Sequence, residues 1–121
     1  MSLIILRLSF VALSSFTFAQ DFGAACTNST LDGTTLNAMC ETDSGANITA
    51  SINLNNCVAS YNGTLTCSQT GNYSTTCSAC EYGIGPLQMV CMCYDGNATY
   101  PDVSVINLDT CINNQNGTLT C

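Results

Sequence analysis

Apolar and polar residues alternate in short runs along this chain, with a period of two. Leu36, Ala38 and Cys40 alternate with Thr35, Asn37 and then Met39; Ile52 and Leu54 alternate with Ser51 and Asn53, and Leu65 and Cys67 with Thr64 and Thr66. Successive side chains of a strand point to opposite faces, so each run predicts a half-buried strand. The pattern returns later as Met89, Cys91 and Cys93, then Ile106 and Leu108, then Leu119 and Cys121. Asn62-Gly63 and Asn116-Gly117 predict two-residue hairpin turns, because both central residues of such a turn need positive φ. The segments NNCV after Leu54 and DTCI after Leu108 are too short for an α-helix. They predict single helical turns opened by Asn55 and Asp109. The chain therefore reads as a mostly β domain with short turns.

The strands also repeat as a block. Residues 52–67 read INLNNCVASYNGTLTC and residues 106–121 read INLDTCINNQNGTLTC, with ten of sixteen positions identical at a constant offset of 54. A match of that length in a chain this short marks a tandem duplication, and with it two copies of one site related by a pseudo-twofold axis.

Composition narrows the function. The opening MSLIILRLSFVALSSFTFAQ carries Arg7, an apolar stretch, and Thr17 and Ala19 at the −3 and −1 places of a signal-peptidase cut. Residues 1–19 read as a signal peptide and residues 20–121 as one secreted domain. No other run approaches the ~20 apolar residues a membrane span needs. Arg7 is the sole Lys or Arg and there is no His, so the expected mature chain has no cationic side chain. Its carboxylates are Asp21, Asp32, Glu41, Asp43, Glu81, Asp95, Asp102 and Asp109. Such a chain cannot neutralise phosphates, which excludes nucleic acid and anionic membrane as partners. The abundance of Asn, Thr, Ser and Gly suits a neutral, hydroxyl-rich ligand such as a sugar.

Ten cysteines in a secreted chain of this size read as a disulfide framework. Cys77-x2-Cys80 and Cys91-x-Cys93 also resemble a four-thiolate zinc knuckle. The oxidising compartment and the even count argue against zinc, and no metal or cofactor is expected.

Each repeat runs from a first cysteine through a hairpin, a second cysteine, an I-N-L strand, a helical turn and an N-G-T-L-T-C hairpin. Together with Phe22 before Cys26, the matching Tyr73 before Cys77, and Leu36-x-Ala38-x-Cys40, this order resembles the cyanovirin-N homology family, most closely its fungal members. The resemblance covers residues 22–121, with repeat one at about 22–67 and repeat two at about 73–121. It implies a pseudo-twofold β fold in which the repeats exchange hairpins. It also implies a lectin with two sugar sites, often preferring mannose-rich glycans.

The family bond falls on Cys26 and Cys40. Matching Met89 and Cys91 to Leu36 and Ala38 gives Cys77–Cys93, with Cys80–Cys91 nested on the same hairpin. Cys91 and Cys93 share a strand face, which makes the nesting sterically sensible. The remaining four cysteines fall ten apart in equivalent places, giving Cys57–Cys67 and Cys111–Cys121 within the repeats. The family's first site carries over to Glu41, Asp43, Asn114, Gln115 and Asn116. Its second carries over to Ser60, Asn62, Asn72, Thr76 and Asp95, and looks weaker because Ser60 stands where its counterpart is Asn114. Carboxylates and Asn side chains offer acceptors and donors to vicinal hydroxyls, although Asn-Gly is also what the turns alone demand.

Sequons occur at Asn28, Asn47, Asn62, Asn72, Asn97 and Asn116, and a glycan on Asn62, Asn72 or Asn116 would block or occupy a proposed site. No activating base stands by any Ser or Cys. Glu41 and Asp43, two apart on a strand, share one face and do not flank a substrate, so no enzyme is expected. The sequence thus reads as a secreted lectin for neutral, mannose-type glycans or glycoproteins. The alternative is a secreted cysteine-rich structural or interaction protein of the same fold that has lost sugar binding. A monomer is expected, with a hairpin-exchanged dimer open to the fold.

Overall fold

The structure is a computed structural model that describes residues 20–96 and 100–121; the expected signal peptide and the Asn97 sequon lie outside them. The two-residue strand β1 (Gln20–Asp21) leads into a helical turn (Phe22–Ala25), which precedes β2 (Cys26–Asp32), β3 (Thr35–Glu41) and β4 (Asn47–Asn53). A 3-10 turn (Leu54–Asn56) then leads to the hairpin β5 (Val58–Tyr61) and β6 (Thr64–Cys67). The second repeat follows the same order. Its 3-10 turn (Tyr73–Thr75) precedes β7 (Cys77–Tyr82), β8 (Gln88–Cys93) and β9 (Asp102–Asn107). A last turn (Leu108–Thr110) leads to the hairpin β10 (Asn113–Gln115) and β11 (Thr118–Thr120).

Both triplets β2-β3-β4 and β7-β8-β9 form antiparallel sheets, and β1 joins β10-β11 as a third strand. Most inward positions are the ones the alternation marks, although Cys67, marked with Leu65, is exposed. Leu36, Ala38 and Cys40 in β3 and Met89, Cys91 and Cys93 in β8 are buried, as are Leu54, Leu108, Leu65 and Leu119. Phe22 and Tyr73 occupy matching places and are each 1 % exposed. They anchor one core shared by both repeats. Burial pushes the Tyr73 hydroxyl above its ordinary pKa.

The closing hairpins are exchanged between the repeats. β6 of repeat one lies against β9 of repeat two, where Leu65 N–H donates to Ser104 Oγ at 2.9 Å. In return β11 lies against β4, and Asn114 Nδ2 donates to the Glu41 carbonyl at 2.8 Å. The 3-10 turns reinforce the exchange. Asp109 Oδ1 accepts from Gly23 N–H at 2.6 Å, and its counterpart Asn55 Oδ1 accepts from Ser74 N–H at 3.1 Å. Asn55 and Asp109 therefore tie the repeats together rather than opening their own turns. The caps are Asn53 and Asn107, whose Oδ1 atoms accept the N–H two residues on, at 2.9 and 3.0 Å.

Three disulfides are the expected Cys26–Cys40, Cys77–Cys93 and Cys80–Cys91. The first two join directly opposed residues of their hairpins. Bulges at Asn28 (φ 54) and Ala79 (φ 51) shift the register after each first cysteine, and in repeat two this brings Cys80 onto Cys91. The other two bonds correct the expectation. They are Cys57–Cys121 and Cys67–Cys111, between repeats, not Cys57–Cys67 and Cys111–Cys121 within them. The reason is register. Asn62-Gly63 closes a two-residue turn, which sets Cys67 opposite Val58 and leaves Cys57 one residue out of step. Asn113 likewise faces Thr120, which puts Cys111 one residue out of step with Cys121. The observed pair still obeys the twofold, since the offset of 54 turns each bond into the other. All ten cysteines are bonded, so the Cys77, Cys80, Cys91, Cys93 group holds no zinc-ligating thiolate.

Candidate sugar-binding sites

Two sites form where the tip of an exchanged hairpin meets the loop after the middle strand of a sheet. At the first, the tip is Asn116-Gly117, with φ 52 and 86. A Cβ placed on Gly117 would come within 2.6 Å of Ile48 Cδ1 and 3.1 Å of Thr42 Cγ2, so only glycine lets the tip approach this closely. Asp43 N–H donates to Asn116 Oδ1 at 2.9 Å. Glu41, Asp43, Gln115 and Asn116 are exposed. Asn114 is not; it is 2 % exposed, with Nδ2 on the Glu41 carbonyl and Oδ1 accepting Gly117 N–H at 2.9 Å. It sits directly opposite the core residue Leu119 and is a strut between tip and sheet. The five expected residues of this site are brought together, but Asn114 has no face left for a ligand.

The second site is the same place turned by the pseudo-twofold. Its tip is Asn62-Gly63, with φ 51 and 81. A Cβ on Gly63 would meet Asp102 Oδ2 at 2.5 Å and Asp95 Cβ at 3.2 Å, the positions equivalent to Ile48 and Thr42. Tyr94 N–H donates to the Thr76 carbonyl at 3.0 Å, which brings Thr76 alongside the end of β8 and Asp95. Ser60 faces inward opposite Leu65, as Asn114 does opposite Leu119, but its shorter side chain reaches nothing. Its Oγ is inaccessible and without a hydrogen-bond partner. Asn72 lies apart from the tip: φ 53 starts its helical turn, and its N–H donates to the Asn55 carbonyl at 2.8 Å, at the base of the hairpin.

Three residues of this second site were not expected. Asp102 flanks the tip, and the exposed Tyr94 and Tyr61 stand where the first site has Glu41 and Gln115. Laying one copy of the repeat over the other would have found the two tyrosines, at the places of Glu41 and Gln115. The sequon residues Asn28, Asn47, Asn62, Asn72 and Asn116 are exposed. Asn116 uses only its Oδ1 on Asp43 N–H, so its Nδ2 has room for a glycan above the first site.

An open cleft of about 750 Å³ lies elsewhere, between the hairpins β2-β3 and β7-β8. Ser29 Oγ and Tyr82 Oη share a hydrogen bond of 2.8 Å at its wall, beside Ile84, Pro86 and Leu87. Burial raises the Tyr82 pKa, and the Ser29 hydrogen bond offsets that in part. The cleft carries no charged side chain.

Comparison with curated protein sequences finds no match. Among solved structures, T. borchii CVNH is 26 % identical with a TM-score of 0.65, over 84 % of this chain and 98 % of that one. A MoCVNH3 variant in complex with (N-GlcNAc)4 is 18 % identical with a TM-score of 0.73, over 85 % and 97 %. The microvirin:mannobiose complex is 24 % identical with a TM-score of 0.66, over 84 % and 97 %. Residues 22–120 match the CVNH domain, so the exchanged hairpins and twofold sites described above are those of a chain that belongs to the CVNH family.

Proposed function

We propose that this chain is a secreted, non-catalytic carbohydrate-binding protein for neutral oligosaccharides or the glycans of glycoproteins. The observation that carries the reading is the second site, where the Asp102 carboxylate stands against the Gly63 tip beside the exposed Tyr94. Carboxylates accept from vicinal hydroxyls, and the absence of Lys, Arg and His from residues 20–121 favours an uncharged ligand. The complexes of the CVNH relatives with (N-GlcNAc)4 and mannobiose support the same class. Five disulfides and the signal-like residues 1–19 support secretion.

The first site contributes Glu41, Asp43, Gln115 and Asn116, an all-polar set that suits mannose-type glycans.

Glycan-array binding, before and after enzymatic deglycosylation, tests the reading. Binding to neutral glycans by the deglycosylated protein is the expected result. A silent array would leave the structural or interaction protein as the account. Binding that emerges only on deglycosylation would mean that glycans at Asn62 or Asn116 cover competent sites.

A further inference from the structure

The two sites differ at matched positions, and the difference has one chemical direction. Glu41 of the first site is Tyr94 in the second, and Gln115 is Tyr61. The tyrosines are 57 % and 59 % exposed, so neither serves the core, where Tyr73 already fills the place matched by Phe22. Single exposed aromatics are ordinary. Two of them replacing polar groups at the two lining positions of one site are a change in what that site can touch.

Tyr94 is held in place by its N–H bond to the Thr76 carbonyl, and the next residue, Asp95, abuts the Gly63 tip. Tyr61 belongs to the hairpin that forms the tip, its hydroxyl 3.5 Å from Ser68 Oγ. Tyr94 therefore stands in the chain beside the tip, where the Asp102 carboxylate meets Gly63, whereas the Tyr61 hydroxyl lies back along its own hairpin toward Ser68.

We propose that the second site selects pyranoses with equatorial substituents, β-linked glucose or N-acetylglucosamine units, and that Tyr94 is the residue that selects them. This rests on the carbohydrate-binding reading above. An aromatic face attracts the slightly positive hydrogens of C–H bonds. A β-linked glucose-configured ring keeps its hydroxyls at the rim and presents axial C–H bonds on both faces. An α-linked mannose carries an axial hydroxyl on one face and an axial glycosidic oxygen on the other, which lifts either face off the ring. Asp102 then accepts from rim hydroxyls or from an acetamido N–H. The acidic tip repels uronic and sialic acids.

The test is calorimetric titration of the deglycosylated full domain with chitotriose and with α-1,2-mannobiose, for wild type, Tyr94→Phe and Tyr94→Glu. Tyr94→Glu installs the residue that the first repeat tolerates at this place. Wild type is expected to bind chitotriose with a stoichiometry of about one. Tyr94→Phe keeps that affinity within about threefold, while Tyr94→Glu loses about tenfold, the scale of one aromatic contact. Mannobiose binding stays within about twofold throughout. An unchanged chitotriose affinity in Tyr94→Glu, or an equal loss for mannobiose, overturns the selectivity while leaving a sugar-binding protein. Absence of binding to either sugar overturns the carbohydrate reading and the selectivity with it.

Discussion

Replacing Asn114 by Ala removes the group that joins Gly117 N–H to the Glu41 carbonyl at a place only 2 % exposed. Two backbone groups lose their partner, and each unsatisfied buried group costs about 1–3 kcal/mol. Asn114→Ala is thus expected to lower stability by about 2–3 kcal/mol in urea unfolding, with little direct effect at the second site. Ser60→Asn is the converse. It offers the second site the strut of the first, and is expected to raise the unfolding midpoint while leaving sugar binding there unchanged, because the hydroxyl it replaces is inaccessible. A Ser60→Asn protein whose midpoint does not rise would show that no such strut forms. Tyr73 and Tyr82 give a pH dependence with a definite sign. Burial raises both pKa values above the ordinary value near 10. The unfolded chain releases these protons first, so their contribution is fully present below about pH 10 and is lost as pH rises through the folded values. Thermal melts should therefore fall above about pH 10, and Tyr82→Phe should soften that fall.

At the scale of elements, the two bonds between repeats close loops with sequence separations of 64 and 44, where the bonds expected within a repeat span ten. In the chain-entropy model each longer loop is worth about 4 kcal/mol against about 3 for the short one, though the terms are not additive. Cys57→Ser with Cys121→Ser is expected to cost about 2–4 kcal/mol, read by calorimetry, and peptide mapping without reduction should recover Cys57–Cys121 and Cys67–Cys111. Peptides joined as Cys57–Cys67 would contradict the structure. Much of this fold was legible in the chain. The alternation at Leu36-Ala38-Cys40 and Met89-Cys91-Cys93 marks strands whose inward faces are buried, and Asn62-Gly63 and Asn116-Gly117 make the turns they predict. The misread directions of Cys67, Ser60 and Asn114 share one cause. A two-residue turn fixes which residues face one another, and spacing alone ignores that parity. Register puts Cys67 opposite Val58, and it puts Ser60 and Asn114 opposite core leucines. Each was read as if its position in sequence settled its direction in space. Asp102 escaped for a different reason, since its approach to Gly63 exists only once hairpins are exchanged.

For the whole molecule, the exchange makes each site a joint product of both repeats, with the hairpin tip from one and the sheet from the other. That explains why two related repeats can diverge at the sites while sharing one core. The first pairs its tip with Thr42 and Ile48, and the second with Asp95 and Asp102. With no cation in residues 20–121 and an uncharged ligand, sugar affinity should change by less than about twofold between 50 and 500 mM salt. A steep salt dependence would instead indicate a charged partner. The most direct test is an amide chemical-shift titration of the deglycosylated protein with a neutral oligosaccharide. The expected shifts cluster at Ser60, Asn62, Gly63, Tyr94 and Asp102, with smaller ones at Glu41, Asp43 and Asn116. Shifts confined to the cleft around Ser29 and Tyr82, or no shifts at millimolar sugar, would contradict a carbohydrate site built at the exchanged hairpin tip.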